Sequence, residues 1–174
     1  VLIRAEKPVD FDEIDVVVRA AFGQQDEVDL VHRVRGLDGY VPELALVATD
    51  FDGSIVGHVM LSYARLEAGP GVSPGDEPRV LQLAPLAVRP DRQREGIGDA
   101  LTRAALELAD ARGEPLVLVL GHANYYPRFG FESARGRGIE SDIPGMPDEP
   151  WMVKVLTAYD PTLTGTATFP ASEA

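Results

Sequence analysis

The sequence predicts an α/β domain of the α+β type, and three stretches predict it. Residues 80–113 read as a strand, a short turn rich in Arg and Gly, and a long amphipathic helix. Residues 43–49 and 54–66 read as two strands joined by Asp50-Phe51-Asp52-Gly53, and the Asp-Gly dipeptide is a strong hairpin signal. Residues 116–120, LVLVL, form an apolar, β-rich run suited to a central strand.

In chain order, residues 2–5 form a short apolar opening strand. Asp10 is placed to cap a helix with apolar positions at Ile14, Val17, Val18 and Phe22, and Gly23 ends it. Asp26 opens a second helical pattern through Leu30, Val31 and Val34 to Gly36. Beyond the hairpin, residues 68–78 are dense in Gly and Pro and read as a loop longer than the usual hairpin connection. Residues 81–88 are almost continuously apolar, the pattern of a strand covered on both faces. Pro85 within them has no N–H to donate, so a bulge or a splay between neighbouring strands must absorb the missing bond. From Ile97 the apolar positions Leu101, Ala104, Ala105 and Leu108 keep helical spacing, and Gly113 follows as a stop. Residues 135–150 read as irregular and residues 151–156 as a last strand. The polar, Thr-rich residues 160–174 are expected to be a loosely ordered tail behind one domain at residues 1–159.

Of the 174 residues, 45% are hydrophobic and 25% charged, a balance that supports a globular chain with a substantial core. With 16 basic and 28 acidic residues the net charge is −12. That balance argues against nucleic acid or an anionic membrane as the main partner. It suits a cationic substrate such as an amine, and equally a surface that is acidic for solubility. The absence of cysteine excludes disulfides, thiolate metal ligands and a Cys nucleophile. No apolar run approaches the length of a membrane span, and no spacing of His with carboxylates suggests a metal site. Nothing in the residues suggests export, so a cytoplasmic protein is expected.

The turn Gln93-Arg94-Glu95-Gly96-Ile97-Gly98 has two readings. It is either a glycine turn between two core elements or a phosphate cradle. Glycine lets the backbone approach a ligand closely, and the free N–H groups of a helix start attract anions. A P-loop is excluded because no Lys followed by Ser or Thr comes after Gly98. A dinucleotide fingerprint lacks its third glycine, Leu101 standing there. The pattern Q-x-x-G-x-G behind the strand LAPLAV resembles the acetyl-CoA-binding motif of the GNAT superfamily of N-acetyltransferases. A second block, Tyr125-Tyr126-Pro127-Arg128-Phe129-Gly130-Phe131, resembles the aromatic-x-x-x-Gly-Phe signature that follows the next strand in that superfamily. The resemblance runs over residues 80–131 and is nearest to a bacterial branch whose core reads PLAV, QxxGIG and YYxRFGF.

This resemblance implies the GNAT acyl-CoA N-acyltransferase fold. That fold is a central mixed, mostly antiparallel sheet flanked by helices and splayed between the fourth and fifth strands, with a further helix after residues 116–120. It implies direct transfer of the acetyl group, in a ternary complex, from acetyl-CoA as co-substrate to a primary amine of a small molecule or peptide. Gln93, Arg94, Glu95, Gly96, Ile97, Gly98, Asp99 and Ala100 would then surround the pyrophosphate. The backbone of Leu86, Ala87 and Val88 would pair with the pantetheine arm, one N–H of that run polarising the thioester carbonyl. Asn124 would hydrogen-bond the same arm.

Tyr126 stands four residues before Gly130, the spacing of the family's general-acid tyrosine. A phenol near pKa ~10 and a thiol near ~8.5 are close enough for proton donation. The competing reading makes Tyr125 and Tyr126 both packing aromatics, and packing is the role assigned to Tyr125. Many relatives carry a basic Glu on the strand before the turn, but residues 80–88 hold Gln82 and no carboxylate. His122 is the titratable group available as a base, unless a water chain or an amine arriving deprotonated removes the need. Phe22, Asp26 and Glu27 either contact the acceptor or belong to ordinary helix packing and surface. Arg89, Arg92 and Arg94, interleaved with Asp91 and Glu95, either meet phosphates or form a surface network. His32 and His58 receive no role, and a homodimer is compatible with the resemblance. The rival readings are a non-catalytic acyl-CoA sensor, favoured by the missing carboxylate and opposed by Tyr126, and a structural protein that kept the fold without the ligand.

Overall fold

The computed structural model describes residues 1–67 and 76–169. The expected loop at 68–78 and the end of the expected tail therefore lie partly outside the described residues. The elements are β1 (Leu2–Ala5), α1 (Phe11–Phe22), α2 (Asp26–Arg35), β2 (Tyr40–Thr49), β3 (Ile55–Glu67) and β4 (Arg79–Val88). They continue as α3 (Ile97–Ala111), β5 (Leu116–Leu120), β6 (Glu132–Ser133), β7 (Ile139–Ser141), β8 (Trp151–Val155) and β9 (Gly165–Thr168). The strands hydrogen-bond in the order β1-β2-β3-β4-β5-β8-β6, and β9 pairs with β3 and β7. The β4–β5 and β7–β9 pairs are parallel, whereas β1–β2, β2–β3, β3–β9, β5–β8 and β6–β8 are antiparallel. This is the mixed, mostly antiparallel sheet with helices that was expected. Among the described residues no helix is long and apolar enough to cross a membrane.

The chain divides into two compact units, Val1–Ser62 with Ala84–Ala109 and Tyr63–Leu83 with Asp110–Ala174. In the first, α1 buries Ile14, Val17 and Val18 in a cluster with Val28, Val47, Ile55 and Ala87. The second helix places Val31 and Val34 on Ala45 and Met60. Each helix thus presents the apolar stripe that its spacing specified, except that Phe22, expected on the α1 stripe, is exposed. Gly23 ends α1 in the left-handed region at φ 70°, its N–H donating to the Arg19 carbonyl at 2.8 Å. Gly53 closes the hairpin at φ 83°. Helix α3 buries Ile97, Leu101, Thr102, Ala105, Leu106 and Ala109, while Leu108, expected on that face, is 42% exposed at its edge. Asp10 does not cap α1 with its side chain. Its carboxylate instead accepts the Lys7 N–H at 2.8 Å and the Arg4 guanidinium at 2.7 and 3.0 Å. The 3-10 turn at Pro8–Asp10 precedes α1 and claims the carboxylate first.

A buried polar cluster ties this unit together. Glu6, just past β1, has a fully buried side chain. Its Oε2 accepts Arg35 Nε at 2.9 Å and the Tyr40 hydroxyl at 2.7 Å. Its Oε1 accepts Arg35 Nη2 at 3.1 Å and His58 Nε2 at 2.8 Å. Burial opposes ionisation, but the hydrogen bonds from His58, Arg35 and Tyr40 outweigh it and hold the carboxyl at about 2, below the ordinary 4.5. Nearby, Gly57 of β3 lies under the start of α3. A Cβ there would stand 2.8 Å from Leu101 Cδ1 and 3.1 Å from Ile97 Cγ2.

The second unit carries the ladder Leu81↔Val117, Gln82↔Leu118, Leu83↔Val119 between β4 and β5. That ladder stops two residues before Pro85, while β4 itself continues to Val88. The Ala84–Pro85 peptide bond is cis. The fully buried Trp151 centres the core of this unit with Leu66, Leu116, Leu118, Val153 and Ala167. Its indole N–H donates to the Ile139 carbonyl at 2.9 Å, and Phe169 meets its ring edge-on at 5.5 Å.

Three expectations are corrected in this unit. Of the expected loose tail, residues 165–168 form a strand instead, because β9 pairs with Arg65–Glu67 of β3 and buries Ala167. Residues 135–150, expected as irregular, include β7, which pairs with β9. The helix expected after β5 is only a 3-10 turn at Tyr126–Phe129. Gly130, in the left-handed region at φ 94°, ends the turn directly after Phe129.

Two outcomes follow from this packing. Glu6 should contribute ~3 kcal/mol of stability above pH 4.5, lost progressively as the pH falls from 4.5 towards 2. Glu6→Gln should cost about 3–5 kcal/mol at pH 7 and flatten that acid dependence in urea unfolding; parallel acid losses in both proteins would refute the assignment. Gly57→Ala should cost about 1–3 kcal/mol through overpacking against α3, read as a lowered Tm.

Candidate active site

The turn between β4 and α3 lies wholly in the first unit. From Ala84 to Val88 the strand alternates, Ala87 buried and Ala84, Leu86 and Val88 half-buried. A 3-10 turn at Pro90–Arg92 follows. The Gln93 side chain then folds back, its Nε2 donating to the Val88 carbonyl at 3.0 Å, so this predicted ligand residue ties the turn to the strand. Arg94 takes φ 66° and Gly96 φ 86°. Two left-handed residues out of three curl the backbone, a geometry that lines N–H groups along a concave edge. Among the described residues Arg94 is the non-glycine residue with positive φ, a conformation that costs energy and gathers at functional sites.

Ile97 is buried and anchors the helix start, and the first helical bond runs from the Ala100 N–H to the Gly96 carbonyl at 3.0 Å. The N–H groups of Ile97 and Gly98 come before it and have no helical acceptor. The Gly98 carbonyl accepts Thr102 Oγ1 at 2.9 Å. Of the predicted cofactor residues, Leu86, Ala87, Val88 and Gln93 to Ala100 are therefore brought together on one continuous strand, turn and helix start.

The three arginines of this turn differ in charge balance. Arg89 is paired with Asp91, Nε to Oδ1 at 2.6 Å. Arg92 donates to Glu95 at 3.0 Å and to Asp50 of the hairpin, and that guanidinium lowers the Asp50 carboxyl below its ordinary range. Arg94 has no hydrogen bond or ion pair to another described residue. The network reading holds for Arg89 and Arg92, and Arg94 keeps an uncompensated cation beside the helix start. Asp50, 42 residues from Arg92 in sequence, was missed, because a hairpin Asp carries no local signal of a distant partner.

The second unit carries Tyr126 and Asn124. Tyr126 opens the 3-10 turn, which Gly130 ends at φ 94° with its N–H on the Pro127 carbonyl at 3.0 Å. The Tyr126 ring is 7% exposed and meets Tyr125 and Phe131 edge-on at 5.0 and 5.5 Å. Gly121 gives it room: a Cβ there would stand 2.8 Å from Tyr126 Cδ2. The Gly-x4-Tyr spacing was the available signal for that slot. The Tyr126 hydroxyl has no hydrogen bond to a described residue, and burial pushes the phenol up to about 12. Tyr125 packs as assigned, its carbonyl accepting Arg128 Nε at 3.0 Å. Asn124 and His122 are exposed, and the His122 carbonyl accepts the N–H groups of Tyr125 and Tyr126 at 3.0 and 3.3 Å. Phe22 and Asp26 are exposed at the junction of α1 and α2, and Glu27 accepts Gln24 Nε2 at 2.8 Å. His32 pairs with Asp15 at 2.7 Å, and His58 belongs to the Glu6 cluster.

Comparison with known proteins places this geometry. A family model described as "Acetyltransferase (GNAT) domain" matches residues 3–134. The uncharacterized N-acetyltransferase YjhQ of Escherichia coli K12 is 39% identical over 160 residues, covering 90% of this chain and 84% of that protein. The uncharacterized N-acetyltransferase YhbS of the same strain is 34% identical over 144 residues, covering 83% and 81%. The crystal structure of E. coli YhbS in complex with CoA superposes with a TM-score of 0.83 at 30% identity, covering 95% of this chain and 87% of that one. A GNAT family acetyltransferase from Brucella melitensis in complex with acetyl-CoA gives a TM-score of 0.77 at 28% identity, covering 99% and 97%. With the family model spanning most of its length and a relative at this identity over nine-tenths of it, the chain belongs to the GNAT acetyltransferase family.

Proposed function

We propose that this protein transfers the acetyl group of acetyl-CoA to a primary amine of a small molecule or peptide, by direct attack in a ternary complex. The observation that carries the reading is the start of α3, where left-handed Arg94 and Gly96 lead into the N–H groups of a helix start and Arg94 has no ion pair among the described residues. Helix-start amides and an uncompensated guanidinium form a site for a diphosphate. Solved relatives with CoA and acetyl-CoA bound support that ligand.

In this reading Arg94 to Ala100 surround the pyrophosphate, and Gln93 holds the turn in shape through Val88. The backbone of Leu86 to Val88 pairs with the pantetheine arm, and one N–H of that run polarises the thioester carbonyl. Asn124, exposed on its loop, hydrogen-bonds the arm. The neutral amine adds to the carbonyl carbon, the C–S bond breaks, and the amine loses a proton to water or to His122. Tyr126 donates to the departing sulfur. With its phenol near 12 the proton stays on oxygen through neutral pH, so Tyr126 hydrogen-bonds the developing thiolate before it gives the proton up. The same reading places the protein in the cytoplasm. The buried Gln82, where a basic carboxylate would stand, favours a second reading as a non-catalytic acyl-CoA sensor.

Tyr126→Phe should lower kcat by at least about 100-fold with little change in KM for acetyl-CoA. Unchanged turnover would remove Tyr126 from the chemistry, and no turnover of any amine by the wild type would favour the sensor. Acetyl-CoA at about 100 times its Kd should stabilise the protein by ~2.7 kcal/mol, and Gly98→Trp should abolish that shift in a thermal melt. No shift in the wild type at saturating acetyl-CoA would sink both readings.

A further inference from the structure

We propose that Phe51, at the tip of the β2–β3 hairpin, stacks on the adenine ring of bound acetyl-CoA. The proposal rests on the acetyl-CoA reading above and assigns a residue to the nucleotide half of that ligand. Phe51 is 105% exposed, the most exposed large hydrophobic side chain among the described residues. The turn that carries it is firmly tied. The Asp50 N–H donates to the Ser54 carbonyl at 2.9 Å, and the Gly53 N–H to the Asp50 carbonyl at 2.9 Å. Asp50 Oδ1 accepts the Phe51 N–H at 3.1 Å. Asp52 Oδ1 accepts the Ser54 N–H and hydroxyl at 3.0 and 2.7 Å. A turn position of this kind ordinarily holds a small polar residue. Here four hydrogen-bonded positions around it present a phenyl ring wholly to solvent.

The hairpin is anchored to the turn that precedes α3. One guanidinium, that of Arg92, donates at once to Asp50 of the hairpin and to Glu95, the residue immediately before Gly96. The Arg89 N–H also donates to the Val56 carbonyl at 2.8 Å, fixing the end of β4 to the start of β3. All these residues lie in the first unit. Asp50, the residue next to Phe51, is thus held one arginine side chain away from Glu95 of the diphosphate-binding turn, and in CoA the adenine lies one ribose away from its diphosphate. Charge sorts the two groups in the same sense. Arg89 and Arg92 are neutralised by Asp91, Asp50 and Glu95, leaving Arg94 for phosphate and a flat apolar ring for the base. Stacking on an aromatic side chain is the usual way to hold a base where hydrogen-bonding groups are absent.

The test is calorimetric binding of CoA and of 4′-phosphopantetheine, which lacks the nucleotide, to the wild type, Phe51→Ala and Phe51→Trp. Phe51→Ala should raise the Kd for CoA by about 5- to 50-fold and leave that for 4′-phosphopantetheine unchanged, while Phe51→Trp should bind CoA as tightly as the wild type. Unaltered CoA binding by Phe51→Ala, or an equal loss for both ligands, would overturn the assignment while leaving the acetyl-CoA reading in place. A wild type that binds neither ligand would overturn the acetyl-CoA reading and this assignment with it.

Discussion

Glu6 accepts four hydrogen bonds in a site closed to water, from Arg35 at the end of α2, Tyr40 at the start of β2 and His58 near the start of β3. A buried carboxylate survives only where such donors replace its hydration, so each of these elements is held in place by the same charge. The Phe11 ring, 3.7 Å from the Arg35 guanidinium carbon, adds α1 to the arrangement. Because Glu6 is ionised, the proton shared with His58 sits on the imidazole Nε2. The other nitrogen, Nδ1, is buried without a hydrogen-bond partner among the described residues. His58 is a donor to Glu6, and its burial removes it from any role as a solvent-accessible base. Loss of this carboxylate would leave the Arg35 guanidinium, 9% exposed, without its counter-charge.

On that scaffold the turn before α3 is arranged by distribution of charge rather than by its total. The chain carries a net charge of −12, an unpromising background for an anion. The local pairing overrides it. Asp91, Glu95 and Asp50 are occupied by Arg89 and Arg92, while Arg94 has no ion pair among the described residues. The amides of the helix start add their partial positive charge at the same place. The second unit treats its own titratable group differently. Tyr126 is held by packing on Tyr125, Phe131 and the bare face of Gly121, and its phenol is shifted by burial without a charged neighbour.

Much of the fold was legible because it depends on neighbours in sequence. The bounds of β5 coincide with the apolar run at residues 116–120, and α3 begins at Ile97 as its spacing indicated. Gly23 and Gly53 stop and turn the chain where their left-handed conformations are needed. Expectations failed where a distant partner decided the outcome. Asp10 looks like a cap for α1 but is claimed by Arg4 and Lys7. The Thr-rich stretch around residue 166 has no strong strand pattern, yet it forms β9 because β3 and β7 offer it edges to pair with. The helix expected after β5 shrinks to a 3-10 turn that left-handed Gly130 ends after Phe129.

The candidate site divides in the same way. By itself the sequence determined the strand, the glycine-bearing turn, the helix and the aromatic block with Tyr126, because these rest on periodicity, backbone freedom and residue spacing. Tertiary structure alone decided which arginine keeps its charge, that Gln93 closes the turn through Val88, and that the hairpin bearing Phe51 is moored to Glu95 through Arg92. An ion pair or a buried ring is settled by separation in space, and residues 42 positions apart carry no mark in the sequence of having met.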